Sequence, residues 1–275
     1  HRPAIDKAGR AVLWPAVGHL IRNAGVVTSD PTTVETRGCV LLTGRARIDW
    51  DHWLIHGTGR TLYGRYGAGN RPGRNPLRLD HVVRPAGGVR DGAFNWALTN
   101  GVTLDPPPVV PLGESRVAWG VVVRDSHHGS FSGNVVLNWA AAGVAFEDGN
   151  ETDNAVLGNL ILGLTYSDAT ENTFGQGNAG HTGAGIWCRG GNNVIEGNWV
   201  SGAARGYIVS PYMAEAKANA RIPRSPESDT QVTGQFDLVN LRRLPLRRFA
   251  DNTAFGGWMT NGIEIWWVGV DGATP

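Results

Sequence analysis

Apolar and polar residues alternate with a period of two in three stretches of the chain, residues 120–125, 143–148 and 185–190, and each stretch opens with glycine. A Gly-Asn pair follows each opening glycine after 12 to 15 residues, and the first two stretches are 23 residues apart. Such alternation is typical of a strand with one buried face. One unit of this size cannot bury its apolar side without neighbours stacked on both sides, so the repeat predicts a solenoid.

Each stretch has an inward and an outward side, because successive side chains of a strand point to opposite faces. The predicted inward side chains are Val121, Val123, Val144, Phe146, Ile186 and Cys188, and the outward ones are Val122, Arg124, Ala145, Glu147, Trp187 and Arg189. The alternation extends to two weaker matches, with these residues outward: Arg78, Asp80, Thr103 and Asp105. Strands that return in one direction pair in parallel, and their crossovers are right-handed. The predicted fold is all-β, a single-stranded right-handed parallel β-helix.

The Gly-Asn pairs place Asn134, Asn159 and Asn198 at equivalent corners of the repeat. Glycine accepts positive φ without penalty, which suits a tight corner. Side-chain amides that recur along parallel strands hydrogen-bond one another. We therefore predict that the three asparagines form a stacked ladder with a structural role.

Three polar or proline-rich segments interrupt the repeat, at residues 105–114, 167–182 and 211–235. Insertions of this kind are loops that project from a solenoid, and they often border its binding surface. We expect residues 1–275 to form one domain. Because residues 261–268 are still strongly strand-forming, we also expect the chain to be a segment of a longer protein or to make an intermolecular contact.

Composition excludes several classes of partner. Lys and Arg together number 25 against 24 Asp and Glu, a net charge of +1, so no large field attracts nucleic acid or an anionic membrane surface. No apolar run is long enough to span a bilayer, and membrane insertion is not expected. Only Cys39 and Cys188 are present, which is unlike a disulfide scaffold. We expect Cys188 to be a buried apolar thiol.

A row of charges is predicted on one outer sheet, because equivalent residues of stacked coils lie about 4.8 Å apart. The row contains Asp80, Asp105, Arg124, Glu147 and Arg189. Asp125 and Asp148 run beside it and should repel each other unless a cation or the flanking arginines neutralise them. The row is either a solvated ion ladder or part of a functional surface.

An acidic polysaccharide is the ligand that this surface favours. A long sugar chain can engage several coils at once, and the chain has 11 tryptophans, of which Trp187 and Trp266 are candidates for stacking on sugar rings. The guanidinium groups of Arg78, Arg124 and Arg189 are candidates for pairing with sugar carboxylates.

Two cleavage mechanisms remain open. Hydrolysis needs two carboxyl groups roughly 5 to 9.5 Å apart, which Asp125, Glu147 and Asp148 could supply. Elimination needs a cation or arginine to neutralise a uronate and a base to remove the adjacent proton, and Asp80 with His81 could take part. The alternative to both is a non-catalytic glycan-binding or structural surface module.

The acidic run at residues 147–154 is a candidate Ca²⁺ site. Four carboxylates in it offer the hard oxygen ligands that Ca²⁺ prefers: Glu147, Asp148, Glu151 and Asp153. An acidic corner without metal is the competing interpretation. His127 and His128 are interpreted as surface histidines, since sequence neighbours usually point apart.

The order of motifs in residues 17–29, 36–39, 57–61, 73–81, 145–151 and 183–187 resembles a known extracellular family. This is the β-helix region shared by cell-migration-inducing hyaluronidase, transmembrane hyaluronidase, fibrocystin and their bacterial relatives. The resemblance implies a right-handed β-helix, a secreted or cell-surface location and action on hyaluronan-like glycans. It also leaves Asp80 and His81 as catalytic candidates. The family tends to carry histidines where this chain has Cys39 and Leu77.

Overall fold

The computed structural model describes residues 4–5, 11–13, 25–29, 36–60, 72–85, 87–89, 94–105, 119–164, 183–211, 219–257 and 262–265. In these ranges the chain is all-β, as predicted, apart from one short 3₁₀ helix at Leu241–Arg243. No helix in the described ranges has the length and apolar character needed to cross a membrane.

The strands follow one another along the chain with short connections in most coils. In chain order they are β1 (Ala4–Ile5), β2 (Ala11–Leu13), β3 (Gly25–Val27), β4 (Val40–Gly44), β5 (Ile48–Asp51), β6 (Leu54–His56), β7 (Leu77–Val82), β8 (Trp96–Thr99), β9 (Val102–Leu104), β10 (Val121–Arg124), β11 (Gly129–Ser132), β12 (Val135–Leu137), β13 (Val144–Phe146), β14 (Ala155–Leu157), β15 (Leu160–Leu162), β16 (Ala184–Cys188), β17 (Val194–Glu196), β18 (Trp199–Ser201), β19 (Arg205–Val209), β20 (Asn219–Pro223), β21 (Phe236–Asn240), β22 (Arg248–Ala250), β23 (Thr253–Phe255) and β24 (Ile263–Ile265).

Three parallel sheets are built by taking one strand from each coil in turn. Sheet 1 has the order β24-β19-β16-β13-β10-β7-β4, sheet 2 the order β22-β17-β14-β11-β8-β5, and sheet 3 the order β23-β18-β15-β12-β9-β6-β3. In sheet 1, Val121 pairs in register with Val144, which pairs with Ile186. This in-register stacking confirms a solenoid-like arrangement of parallel strands.

The core lies between the three sheets. The six side chains predicted to point inward are all buried in it, and none is more than 1% exposed: Val121, Val123, Val144, Phe146, Ile186 and Cys188. Burial raises the pKa of the Cys188 thiol, which keeps it protonated and apolar in character. The period of two therefore predicted the core of sheet 1 correctly.

The asparagine ladder is confirmed at the corner before sheet 3. The Asn134 amide donates to Asn159 Oδ1 at 3.2 Å, and the Asn159 amide donates to Asn198 Oδ1 at 2.8 Å. Asn198 continues the ladder to Asn252 at 2.9 Å. The residue before each asparagine has positive φ: it is glycine before Asn134, Asn159 and Asn198, with 60° at Gly158, and Asp251 before Asn252. The ladder ties successive coils together at a corner where the backbone leaves the sheets.

Residues 102–105 do not follow the predicted register. Thr103 is fully buried and pairs with Val136, so it points inward in sheet 3. Asp105 follows the same strand and forms a buried ion pair with Arg37 at 2.6 Å. Because this segment stacks on residues 135–137 and not on residues 121–124, Asp105 is not part of the charge row on sheet 1.

The outer face of sheet 1 is covered by a second apolar cluster. Its buried members are Trp119, Val122, Ala140, Ala141, Ala142, Ala145, Ala184, Trp187 and Ile208. Trp187 is fully buried and contacts Trp119 with ring centroids 5.2 Å apart. Part of the face that was predicted to be open to solvent is thus a packed layer.

A β-hairpin that begins in the third predicted insertion and ends beyond it projects from the solenoid. β20 and β21 pair antiparallel, with Asn219 opposite Asn240 and Pro223 opposite Phe236. Residues 211–235 were predicted to be a loop, but they contain the strand β20. Residues 106–114 and 167–182, the bulk of the other two predicted insertions, lie outside the described residues.

Candidate functional site

A polar cleft of about 550 Å³ lies between the hairpin and the ends of the central strands of sheet 1. Sheet 1 and its corners contribute Asp80, Arg124, Asp125, Asp148 and Asn150, and the hairpin contributes Asn219, Ala220, Arg221, Thr230 and Gln231. The lining contains three carboxylates, two guanidinium groups and several neutral hydrogen-bonding side chains. This combination suits a polar ligand.

Unusual backbone conformations at the strand ends direct two side chains of the site. The β4–β7 register shifts so that Thr43 pairs with Asp80 and Gly44 with Val82, which leaves His81 as the extra residue of a β-bulge. His81 has φ of 52°, and Asp125, directly after β10, has φ of 43°. Both residues lie in the left-handed region, which aspartate and histidine visit more readily than most residues.

Asp125 is the most heavily hydrogen-bonded carboxylate of the cleft. It accepts from Thr230 Oγ1 at 2.7 Å and from the Asn150 amide at 2.8 Å, and it contacts His81 Nδ1 at 2.7 Å and His127 Nε2 at 3.4 Å. Burial opposes ionisation, but the hydrogen bonds from His127 and Thr230 and the histidine contacts hold the pKa of Asp125 well below its usual range. Asp125 is therefore ionised, and its carboxylate holds Thr230, Asn150 and the two histidines in place.

His81 joins the solenoid to the hairpin. Its Nδ1 lies 2.7 Å from Asp125 and its Nε2 lies 3.2 Å from Oδ1 of Asp229, which is on the hairpin. His81 thus bridges a carboxylate of the solenoid and a carboxylate of the hairpin. The hairpin is also held to the solenoid by the Arg84–Glu227 ion pair.

His127 is buried, only 4% exposed, and the prediction of a surface histidine was wrong for it. Its Nδ1 accepts from the backbone N–H of Thr152 at 3.3 Å, which assigns the proton to Nε2, the nitrogen facing Asp125. His127 is buried because it lies at the corner after β10 and its side chain fills that corner. His127 supports Asp125 from behind.

Arg124 lies between two carboxylates on the floor of the cleft. Its Nε donates to Asp148 Oδ2 at 2.8 Å, and its Nη1 lies 4.0 Å from Asp80 Oδ2. Burial disfavours the cation, but Asp148 above all, with Glu147 and Asp80, raises the pKa of Arg124 beyond its usual value. Because both carboxylates contact one guanidinium, Asp80 and Asp148 lie within roughly 9.5 Å, the upper limit for the carboxyl pair of a glycoside hydrolase.

Arg78 and Glu147 lie beneath the cleft and not in it. Arg78 is 1% exposed and pairs with Asp80 at 2.8 Å and with Glu147 at 3.1 Å, while Asn75 accepts from its Nη1 at 3.0 Å. The prediction that Arg78 binds ligand carboxylates is corrected, because its guanidinium is enclosed by protein groups. Glu147 does not line the cleft, and its carboxylate pairs with the buried guanidinium of Arg78.

Arg189 and Trp187, two further predicted substrate-binding residues, belong to the packed outer layer. Arg189 is 4% exposed and its guanidinium lies 4.7 Å from the Trp187 ring centroid. Apart from Asp105, the predicted charge row has the expected register, since Asp80, Arg124, Glu147 and Arg189 take equivalent positions on paired strands of sheet 1. Burial keeps both side chains, Arg189 and Trp187, away from the solvent-exposed surface. Trp266 lies outside the described residues.

Glu151 is a buried acceptor for the backbone of the site. Its Oε1 accepts from the N–H groups of Asp125 at 3.1 Å and Asp148 at 3.0 Å, and its Oε2 accepts from Gly149 at 2.7 Å. Burial and the nearby Asp148 raise the pKa of Glu151 to about 8. One carboxyl group thus fixes the backbone of two cleft aspartates.

The four predicted Ca²⁺ ligands do not converge. Glu147 is engaged by Arg78, Asp148 by Arg124, Glu151 by three backbone N–H groups, and Asp153 by Arg247 and Asn192, at 3.1 Å each. Within the described ranges no group of three or more His, Cys, Asp and Glu side chains is placed to hold a metal ion. The run at residues 147–154 is an acidic corner in which each carboxylate has its own partner.

Sequence reasoning found the solenoid half of the cleft and missed the hairpin half. Asp80, Arg124, Asp125 and Asp148 were predicted and do line it. The hairpin residues were missed: Asn219, Arg221, Asp229, Thr230 and Gln231. The one available signal was that residues 211–235 form a polar insertion. No protein-family model, curated protein or solved structure matches this chain.

Proposed function

We propose that the cleft binds an acidic polysaccharide and cleaves its glycosidic bonds. The observation that carries this proposal is the pair of carboxylates, Asp80 and Asp148, flanking Arg124 on the floor of a cleft about 550 Å³ in volume. A cleft of this size accommodates a few sugar rings, and its amide and hydroxyl groups are suited to sugar hydroxyls.

Hydrolysis is the mechanism that these residues favour. It needs one carboxyl group to protonate the leaving oxygen and a second carboxylate to act as base or nucleophile. Asp80 and Asp148 take these two roles, with Arg124 between them. Asp125 is already saturated by four donors and His81 has both nitrogens engaged, so these two are positioning residues.

The second candidate is a non-catalytic glycan-binding or structural surface module. It is favoured by the ion pair between Arg124 and Asp148, which commits that carboxylate to a partner before any ligand is present. Binding then uses the same cleft without bond cleavage.

Three further proposals concern the whole chain. We propose a right-handed winding, because nearly all parallel strand-to-strand crossovers have that hand. We also propose kinship with the hyaluronidase and fibrocystin β-helix region, and with it a secreted or cell-surface location. A crystal structure tests the hand, and fractionation of the source cells tests the location.

The test of cleavage is an assay on a panel of uronate-containing and neutral polysaccharides. Reducing-end release without ultraviolet absorbance of unsaturated sugars is the expected result, since it indicates hydrolysis, whereas the absorbance indicates elimination. Asp80→Asn and Asp148→Asn should each abolish release while binding persists. Asp49→Asn is the matched control, because Asp49 is an exposed aspartate on sheet 2. Binding without release by the unaltered protein would support the module instead.

A further inference from the structure

The hairpin supplies a second arginine to the cleft, on the wall opposite Arg124. Arg221 is exposed on β20 and lines the cleft. Its guanidinium lies 4.7 Å from the ring centroid of Phe236. Arg221 pairs with Leu238 across the hairpin, which makes Phe236 its diagonal neighbour on the same face. The aromatic ring therefore supports the guanidinium and restricts its movement.

The two arginines of the cleft differ in their engagement. Arg124 donates to Asp148 at 2.8 Å and is part of a charge network. Among the residues that the structure describes, Arg221 has no ion pair with a carboxylate. Its guanidinium contacts the ring of Phe236. Among the described residues, no carboxylate has to be displaced when a ligand anion approaches Arg221.

The difference between Arg124 and Arg221 matters because the cleft also contains three carboxylates. Asp80, Asp125 and Asp148 lie on the solenoid side and would repel an anionic ligand near the floor. Arg221 is on the hairpin side, so an anion can bind there without replacing the ion pair between Arg124 and Asp148. The planar guanidinium fork matches a carboxylate with two parallel hydrogen bonds.

We propose that Arg221 is the specificity-determining residue of the cleft and binds the carboxylate of a uronic acid residue. This inference rests on the proposed function and specifies its substrate class. Arg221 touches the ligand and takes no part in bond cleavage. A sulfate ester offers a related anion, and the experiment separates the two.

The experiment compares uronate hexasaccharides with their carboxyl-reduced counterparts, which are neutral but otherwise alike, by calorimetric titration. Sulfated neutral hexasaccharides form a third arm. The protein should bind the uronate form about ten- to a hundredfold more tightly than the reduced form, as expected for charged hydrogen bonds. Arg221→Gln should bring that ratio close to one without weakening binding of the reduced form, and Arg221→Lys should keep part of it.

The matched control is Arg224→Gln on the same hairpin. Arg224 is an exposed arginine that is committed to Asp237 at 2.8 Å and does not line the cleft. Arg224→Gln should leave the ratio of affinities for the uronate and reduced forms unchanged. Equal loss of affinity for both forms in Arg221→Gln would indicate a purely structural role and overturn the inference, as would a preference for the sulfated arm.

The two proposals fail in different ways. Equal binding of uronate and reduced forms by the unaltered protein, with cleavage retained, would overturn the role of Arg221 and leave the proposed function intact. Absence of binding and cleavage across all arms would overturn both. Tight uronate binding that Arg221→Gln abolishes, without any cleavage, would support Arg221 and favour the non-catalytic module.

Discussion

Replacing Asn159 by alanine should break the asparagine ladder at its centre. Asn159 is 1% exposed and uses its whole side-chain amide. Its Oδ1 accepts from the Asn134 backbone N–H at 2.9 Å and from the Asn134 amide at 3.2 Å. Its Nδ2 donates to the Phe131 carbonyl at 2.9 Å and to Asn198 Oδ1 at 2.8 Å. Asn159→Ala removes all of these interactions from a buried corner.

The magnitude follows from the groups left unpaired. The Asn134 N–H loses its acceptor in a buried corner, which costs about 1–3 kcal/mol. The Phe131 carbonyl loses a donor, while the Asn134 amide keeps a bond to the Leu98 carbonyl at 2.9 Å. We expect Asn159→Ala to lower the free energy of unfolding by about 2–5 kcal/mol in total.

Urea unfolding followed by tryptophan fluorescence measures this change in the free energy of unfolding. Hydrogen exchange at the backbone N–H of Asn134 gives a local readout. Asn252→Ala is the control, since Asn252 makes the same pattern of contacts to Asn198 and Ile195 but is only partly buried. Water can replace its bonds, and the expected loss is about 1 kcal/mol. Equal losses in the two variants, or unchanged exchange at Asn134, would refute the argument from buried unpaired groups.

Two further predictions concern pH and backbone space. The pKa of Glu151 is raised from 4.5 to about 8, so the folded protein binds more protons than the unfolded chain between these values, and stability should fall by a few kcal/mol as the pH rises across that window. Glu151→Gln should flatten this dependence in melting curves, and a profile identical to that of the unaltered protein would contradict it. Gly185→Ala should destabilise by about 1–3 kcal/mol in the same melts, because the added Cβ would lie 2.6 Å from the Gly206 carbonyl oxygen. Gly158→Ala, with φ of 60° and open space around the Cβ, should cost about 1 kcal/mol from backbone strain alone, and a larger loss there than at Gly185 would contradict the steric argument.

The solenoid was predictable because its information is local and repeated. Alternation around Val121, Val144 and Ile186 determined which side chains enter the core, and the glycine corners determined where coils turn. The amide ladder followed from the same phase. Register failed at Thr103, where the strand belongs to a different sheet and no repeat in the sequence marked that phase.

The candidate site was predicted in part for the same reason. Asp80, Arg124, Asp125 and Asp148 were found because stacking at a fixed spacing brings strand ends together. Trp187 and Arg78 were placed on the correct side of their strands but were assigned to an open surface, whereas each is buried. The period of two gives the face of a strand and says nothing about what covers that face.

The sequence by itself thus determined the coil, its core and the phase of its corners, because each depends on contacts between a residue and its equivalents in the next coil. Only the tertiary structure decided which outward residues line the cleft. That depends on the hairpin bearing Arg221 and Thr230 and on the apolar layer around Trp119, which contact the sheet across long separations in sequence. Contacts of that kind do not recur with a fixed period, so no pattern along the chain predicts them.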